Sequence, residues 1–305
     1  MRWPSDSPST DRVLADALLA DAVGAADAWL PDLQARSVLR HVPGRRITAL
    51  ATLGDAEVVV KVFHSPRARG NHRRLTALAA AGLTDLVPAS LGHDPTGRVG
   101  VIEFRPGIVL DQVSDEDFIA AARRAGGALR RLHDCDADLD REWTLPDEVD
   151  ALRRRATDDT RPFVDTMLRC LPSIDPGPAV PSHRDCHPRQ LVVDGSSVHW
   201  IDLDDCTLAP AGLDVGNMAA HLTREGVLGR RSRAVADEAR AGFIAGYRWD
   251  RSTGDLARWE LLSLARLAGL AESRHRSTEE RDALLHEATR LLIRFPADDA
   301  RKVPA

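Results

Sequence analysis

Acidic, amide and imidazole side chains are concentrated at the two ends of one short segment of the chain. They are His183, Asp185, His187 and Gln190 at its start, and Asp202, Asp204 and Asp205 at its end. Bringing several carboxylates together beside an amide and imidazoles costs free energy unless a metal ion or hydrogen bonds compensate for the charge. These residue types favour a site that binds a divalent cation through oxygen ligands and that holds a proton acceptor.

Two short apolar runs between these ends predict a β-hairpin. Leu191–Val193 and Val198–Ile201 are joined by Asp194-Gly195-Ser196-Ser197. Turn residues between runs rich in β-branched side chains are typical of a hairpin. An antiparallel hairpin places the start of its first strand beside the end of its second. We therefore expect the two polar groups to meet in space.

A single lysine adds a second kind of chemistry. The chain has 41 lysine and arginine residues, and only Lys61 and Lys302 are lysine. Lys61 lies inside the apolar run V-V-V-K-V-F, which predicts a strand. A compact ammonium differs from the planar fork of arginine, so a role at phosphate competes with a place on the solvated face of an edge strand. Acids, a hard cation and a lysine together suit phosphate chemistry.

The elements that must position these residues fall into two predicted lobes. Residues 1–104 combine a helix over residues 10 to 30, an antiparallel meander, a helix over Arg67–Ala81 and two further short strands near Ser90–Gly92 and Val99–Phe104. The meander comprises Ser37–Val42, Ile47–Leu53 and Glu57–Phe63, separated by Pro43-Gly44 and Gly54-Asp55. Arg105-Pro106-Gly107 marks the boundary. In residues 105–305 we expect helices everywhere except in the hairpin, which makes the fold class α+β.

Composition excludes several other classes of protein. The chain has 305 residues and a formal net charge of -5, which gives no sign of nucleic-acid binding. No apolar run approaches the length of a membrane span, and the N-terminus lacks a secretory apolar core. The four cysteines have neither metal-ligand nor disulfide-framework spacing. We expect a cytoplasmic protein whose partners are a small-molecule substrate and a nucleotide, with no nucleic acid and no membrane.

The polar segment resembles the catalytic core of aminoglycoside phosphotransferases and choline-kinase-like enzymes. H-R-D-C-H-P-R-Q, followed by W-I-D-L-D-D, is similar to the family pattern H-x-D-x-x-x-x-N, a short hairpin and an apolar-apolar-D. Lys61 matches the strand lysine of these enzymes, and L-D-V-G-N-M-A-A-H-L from Leu213 resembles their next helix start. The resemblance covers roughly residues 35 to 225, and agreement of three separate pieces makes it specific.

This resemblance implies a bilobal protein-kinase-like fold with a small antiparallel-sheet N-lobe and a larger helical C-lobe. It implies an ATP- and Mg²⁺-dependent kinase that phosphorylates a hydroxyl of an amino sugar, an aminoglycoside-like antibiotic or a related metabolite. The implied roles are Asp185 as the catalytic residue, Gln190 and Asp202 as metal ligands, Lys61 with Glu103, Phe104 and Arg105 as the nucleotide site, and His183 and Asp214 as structural supports. Asp204 and Asp205 form a possible substrate rim.

The chain departs from the family pattern in ways that leave two alternatives open. Glutamine replaces asparagine at position 190, no acid occurs between Lys61 and Asp85, and no glycine-rich phosphate loop is present. Instead, the turn Pro43-Gly44-Arg45-Arg46 stands where that loop would be. The glutamine and the missing acid motivate one alternative, a catalytically weak nucleotide-binding pseudokinase. The other is a metal-dependent hydrolase with the ligands His183, Asp185, His187 and Asp202.

Overall fold

In a computed structural model of the chain, residues 30–170 and 174–294 are described. The helix predicted for residues 10 to 30 therefore lies, except for its last residue, outside the described part. The chain divides into two compact units. The first unit runs to Ile108 and also includes the segment His199–Asp204, whereas the second contains Val109–Val198 and the chain from Asp205 onward. The segment that carries Asp202 and Asp204 thus belongs to the first unit, although it lies well beyond the predicted boundary.

The first unit is built on a five-stranded antiparallel sheet with the order β1-β2-β3-β5-β4. Its strands are β1 (Leu33–Val42), β2 (Arg46–Leu53), β3 (Ala56–Phe63), β4 (Ser90–His93) and β5 (Val99–Glu103). The turns after β1 and β2 contain Gly44 and Gly54 with φ of 68° and 58°, the left-handed region that glycine enters without strain. The predicted meander is confirmed.

Strand β3 lies in the interior of this sheet, between β2 and β5. Lys61 is paired with Thr48 on one side and with Gly100 on the other, and it is 3% exposed. Side chains alternate between the two faces of a strand. Val58 and Val60 therefore join the apolar core on one face, while Lys61 projects from the opposite face. The reading of Lys61 as a solvated residue on an edge strand is wrong.

The second unit is mostly helical, as the periodicity predicts. Its helices are α2 (Asp115–Asp134), α3 (Leu145–Arg155), α4 (Arg161–Cys170), α5 (Ala211–Val227), α6 (Arg233–Tyr247), α7 (Thr253–His275) and α8 (Thr278–Leu292); helix α1 (Ala68–Ala80) belongs to the first unit. The side chains of Ser114 and Ser277 accept hydrogen bonds from the third residue of α2 and α8, which satisfies one free N–H at each helix start.

Helices α2 and α6 pack with their backbones in close approach. A Cβ on Gly126 would lie 2.1 Å from the carbonyl oxygen of Phe243, and one on Gly246 would lie 2.0 Å from that of Arg123. Only glycine fits at these two contacts. The close packing brings His133, near the end of α2, against Tyr247, the last residue of α6.

The predicted hairpin is confirmed as β8 (Leu191–Asp194) and β9 (Ser197–Trp200). The expectation that the rest of this region is helical is wrong. Strand β7 (Ala179–Ser182) pairs antiparallel with β10 (Thr207–Pro210), and β6 (Ile108–Val109) lies beside β8. These strands are at most four residues long, and two of them contain proline, which is unfavourable inside a sheet, so the pattern gives little sign of them. None of the described helices has the length and apolarity to cross a bilayer.

Candidate active site

The ammonium of Lys61 is held by two carboxylates inside the first unit. Its Nζ lies 2.7 Å from Asp202 Oδ1 and 2.6 Å from Asp204 Oδ1. Burial alone would lower the pKa of Lys61, but the charges of the two carboxylates outweigh burial and raise it. The lysine therefore stays protonated at neutral pH. Helix α1 supplies no acid, so Asp202 and Asp204 are the acidic partners that the sequence of this helix lacks.

Arg46 joins the same group of charges from the start of β2. Its guanidinium makes a bidentate contact with Asp202, with Nη1 2.9 Å from Oδ1 and Nη2 2.6 Å from Oδ2, and it also contacts Asp204. Burial would raise the pKa of Asp202, but the charges of Lys61 and Arg46 hold it well below its usual value. The arrangement is a partly buried cluster of two cations and two anions, and Arg46 reaches it from the end of the turn Pro43-Gly44-Arg45-Arg46.

Asp204 belongs to this cluster and does not lie at an exposed rim. Its side chain is 5% exposed, and its backbone oxygen accepts a hydrogen bond of 2.6 Å from Nη2 of Arg74. The short helical turn Leu203–Asp205 directs Asp204 inward. Asp205, the next residue, is exposed.

The predicted adenine-binding segment at the end of β5 is braced by its own side chains. The backbone N–H of Ala89 donates to Glu103 Oε2 at 2.9 Å, and Arg105 Nη2 lies 2.9 Å from the same oxygen. Arg105 also donates to the carbonyl oxygen of Val87 at 2.7 Å. Phe104 is half-buried between them in the chain. The side chains of Glu103 and Arg105 thus fix this segment, and a nucleotide role for its backbone stays a prediction.

Asp185 lies in a loop of the second unit between β7 and β8. Its carboxylate accepts a hydrogen bond of 3.3 Å from Gln190 Nε2 and lies 3.6 Å from His187 Nε2. The side chain of Asp185 is 46% exposed, so a small molecule can reach it. Burial would raise the pKa of Asp185, but the hydrogen bond and charge of His187, together with Arg266, lower it. Asp185 is therefore an ionised acceptor at neutral pH.

Asp214, in the first turn of α5, holds the backbone of this loop. Its Oδ2 accepts from the N–H of His183 at 2.6 Å, and its Oδ1 accepts from the N–H of Arg184 at 2.8 Å. These two bonds support a backbone in which Arg184 has a φ of 71°, a conformation that is costly for a residue with a Cβ. Both Asp214 and His183 are fully buried, as structural supports of the loop would be.

A buried relay continues from Asp214 to the chain's single tyrosine. His133 Nε2 lies 3.2 Å from Asp214 Oδ2, and His133 Nδ1 lies 2.8 Å from the hydroxyl of Tyr247. Burial would raise the pKa of Asp214, but His133 and the backbone of Arg184 lower it overall. Helices α2 and α6 therefore fix the carboxylate that supports the loop.

We predict that Tyr247→Phe lowers the free energy of unfolding by about 1–3 kcal/mol, because it leaves a buried imidazole nitrogen without a partner. Urea denaturation followed by circular dichroism measures this loss. His133→Leu combined with Tyr247→Phe should cost less than the sum of the single changes, since the two side chains are bonded to each other. Strictly additive losses would contradict the relay.

Two further imidazole and amide residues on α5 lie next to Asp185. The ring of His221 stacks on that of His187 with centroids 4.7 Å apart, and Asn217 Nδ2 donates to the carbonyl oxygen of Cys186 at 2.8 Å. Arg266 on α7 donates to the other amide atom, Asn217 Oδ1. Sequence reasoning missed all three of these contacts. Asn217 and His221 are spaced i, i+4 on a helix, a signal that they share one face.

We predict a pH dependence of stability from His221. Burial, His187 and Arg266 hold the pKa of His221 well below its usual 6.5, so the folded protein binds this proton less readily than the unfolded chain does. The contribution of a neutral His221 is fully present above pH 6.5 and is lost as the pH falls below it. Urea midpoints between pH 7.5 and 5.5 should fall less steeply for His221→Gln than for the unchanged protein. Equal slopes would show that His221 is not the responsible group.

An antiparallel sheet with an ion-paired lysine and a helical unit with an H-x-D loop define a protein-kinase-like fold of the α+β class, and solved structures confirm it. The aminoglycoside-3'-phosphotransferase of type VIII is 22% identical, with a TM-score of 0.61 over 80% of this chain and 97% of that one. Choline kinase LicA from Streptococcus pneumoniae is 15% identical, with a TM-score of 0.64 over 92% of this chain and 100% of that one. Amicoumacin kinase hAmiN, in complex with AMP-PNP, Ca²⁺ and Ami, is 15% identical, with a TM-score of 0.64 over 95% and 97%.

The family is shown by the sequence itself. The phosphotransferase enzyme family matches residues 45–262, which is most of the chain, and the chain belongs to this family. No curated protein matches the chain in sequence. The expected class, a phosphotransferase with an alcohol group as acceptor, is confirmed.

Proposed function

We propose that the protein is an ATP- and Mg²⁺-dependent kinase that transfers a phosphoryl group to a hydroxyl of a small molecule. The observation that carries the proposal is the buried ammonium of Lys61 between Asp202 and Asp204. A lysine fixed in this way is already oriented, so its ammonium can donate to phosphate oxygens without rearranging first. The candidate acceptors are an amino sugar, an aminoglycoside-like antibiotic and a related metabolite.

The residues present fit a magnesium ion. Asp202 remains ionised, and carboxylate and amide oxygens are the ligands that this ion prefers. Asp202 and Gln190, which stand at the metal-binding positions of the family pattern, are the proposed ligands. When bound, the ion would neutralise phosphate charge. Lys61 would donate to the nucleotide phosphates, and Asp185 would orient the acceptor hydroxyl and receive its proton as the phosphoryl group is transferred.

Incubation with γ-labelled ATP, Mg²⁺ and a panel of small hydroxyl compounds tests this function. We expect label in a phosphorylated product, with no transfer when EDTA removes the metal. Nucleotide binding, measured by isothermal titration, separates the possible failures. Tight binding without turnover on any acceptor would support the pseudokinase, whereas no binding at all would reject nucleotide chemistry.

The structure weakens one of the two reasons for the pseudokinase. The absence of an acid after Lys61 is compensated by Asp202 and Asp204, so the lysine has the partners that a kinase needs. Only the exchange of asparagine for Gln190 remains as an argument. For the hydrolase, the described residues contain no group of three or more His, Cys, Asp and Glu that could hold a metal ion, and no observation favours that alternative.

A further inference from the structure

Two guanidinium groups near Asp185 make no ion pair with a carboxylate of the described residues. Arg184 precedes Asp185 in the loop, and Arg266 lies on α7; both are half-buried. Within residues 30–170 and 174–294, no carboxylate lies at ion-pair distance from either guanidinium. In the described part of the chain, Arg266 donates to the neutral amide of Asn217. Arg184 lies over the indole of Trp143, 3.9 Å from the ring centre, and its buried Nη1 has no acceptor.

Other arginines of the same unit, the buried Arg224 and the half-buried Arg240, are neutralised directly. Arg224 is bonded to Glu280, and Arg240 makes a forked contact with Glu260, with Nε 2.9 Å from Oε1. Removing a guanidinium from water without an anionic partner is costly. The charge of Arg266 acts on the nearby carboxylate of Asp185, but no described carboxylate accepts a hydrogen bond from its guanidinium.

Arg266 and Arg184 bring two positive charges to this end of the site. Burial, and to a lesser extent the charge of Arg266, lowers the pKa of Arg184, and His187 together with Arg266 lowers that of Asp185. Three carboxylates, those of Glu148, Asp214 and Asp205, act on Arg184 from further away. Glu148 accepts from the indole nitrogen of Trp143 at 3.1 Å, and Asp214 is bonded to the loop backbone. Their negative charges stabilise the guanidinium of Arg184 from a distance, but they form no ion pair with it.

The imidazoles add donors but no acid. His187 Nδ1 accepts from the N–H of Arg189 at 3.2 Å, which leaves the proton on Nε2, the nitrogen that faces Asp185. His221 is neutral at pH 7 because its pKa is held low. The groups that Asp185 meets in its own unit are thus a guanidinium, two imidazoles and the N–H₂ of Gln190.

We propose that Arg266 binds an anionic group of the acceptor, a carboxylate or a phosphate, and so places the acceptor hydroxyl against Asp185. Arg184 strengthens the potential from within the loop without touching the ligand. The planar fork of a guanidinium matches these anions with two parallel hydrogen bonds. The inference rests on the proposed function and narrows its acceptors to hydroxy acids or phosphorylated hydroxyl compounds, because a polycationic aminoglycoside would bring ammonium groups against Arg266.

A charge-sorted acceptor panel tests the substrate class. Three groups of acceptors are each incubated with γ-labelled ATP. The anionic group contains hydroxy acids and sugar phosphates, the neutral group contains polyols and nucleosides, and the cationic group contains aminoglycosides. We expect turnover in the anionic group. For that acceptor, Arg266→Gln should raise KM by about 10-fold or more, with the KM for ATP unchanged. Arg266→Lys should recover part of the loss because it keeps the charge without the fork, and Arg290→Gln, on the exposed face of α8, is the matched control. Turnover confined to aminoglycosides, or a rise in the KM for ATP instead, would overturn the proposal.

A second measurement decides the question without any turnover, so that failure of the anion site and failure of the kinase function remain separate. Inorganic phosphate at millimolar concentration should raise the melting temperature of the unchanged protein and of Arg290→Gln more than that of Arg266→Gln, which keeps only the proposed phosphate contact of Lys61. An equal response of all three proteins to phosphate would show that Arg266 binds no anion. A response reduced only in Arg266→Gln, without transfer to any acceptor, would retain the anion site and reject the kinase.

Discussion

Asp185→Asn should lower kcat for phosphoryl transfer by about 10²–10⁴-fold, because the amide oxygen is a far weaker proton acceptor than the carboxylate. The substitution keeps the size of the side chain and one oxygen for the bond from Gln190 Nε2. The affinity for ATP should change little, since Asp185 acts on the acceptor hydroxyl. Steady-state kinetics with an identified acceptor and isothermal titration with ATP measure the two effects.

Asp194→Asn is the matched control for this change. Asp194 ends strand β8 and is exposed, so the same loss of one charge occurs away from the loop. Its kcat should stay within about twofold of the unchanged protein, as surface substitutions usually do little. Full phosphoryl transfer by Asp185→Asn would refute the role of Asp185, and a comparable loss in Asp194→Asn would show that charge alone, and not position, is responsible.

Lys61→Met should lower the free energy of unfolding by about 3 kcal/mol, because it removes one cation from a buried cluster and leaves two carboxylates with Arg46 alone. Methionine is similar to lysine in length and needs no new space. The same variant should lose phosphoryl transfer, because no ammonium remains to contact the nucleotide phosphates. Urea denaturation with linear extrapolation measures the first effect, and labelled ATP measures the second.

Adding Asp204→Asn to Lys61→Met restores the balance of charge and provides the decisive comparison. The double variant should regain part of the lost stability, whereas phosphoryl transfer stays absent. A double variant less stable than Lys61→Met would show that Asp204 is stabilised by contacts other than the lysine. Retention of activity in either variant would contradict the proposed role of Lys61.

The sequence predicts most of the architecture because its signals are local. The turns at Gly44 and Gly54 and the β-branched runs beside them are enough for the meander, and serine caps with apolar periodicity are enough for the long helices. Local sequence signals do not predict strands β7 and β10. They are short, contain proline, and form only because segments far apart in the chain pair with each other.

The candidate site likewise contains residues that the sequence indicates and contacts that only the fold creates. Asp185, Gln190, Asp202 and Lys61 stand at fixed spacings in a recognisable order, so the sequence alone indicates them. The contacts of Arg46 and Arg266 depend on which residues the fold brings next to them, and no spacing along the chain reveals that Arg46 meets Asp202. The same holds for the partners of Lys61, which lie 141 and 143 residues away from it.

The grouping of His199–Asp204 with the first unit has a consequence for any attempt to divide the protein. The chain passes from one unit to the other three times, after Ile108, Val198 and Asp204. A single proteolytic cut after Ile108 therefore separates most of the first unit from the segment His199–Asp204, which stays on the other fragment. A recombinant fragment ending at Ile108 would contain Lys61 and Arg46 but neither of their carboxylates. The first unit is consequently not a module that a gene could gain or lose as one continuous piece.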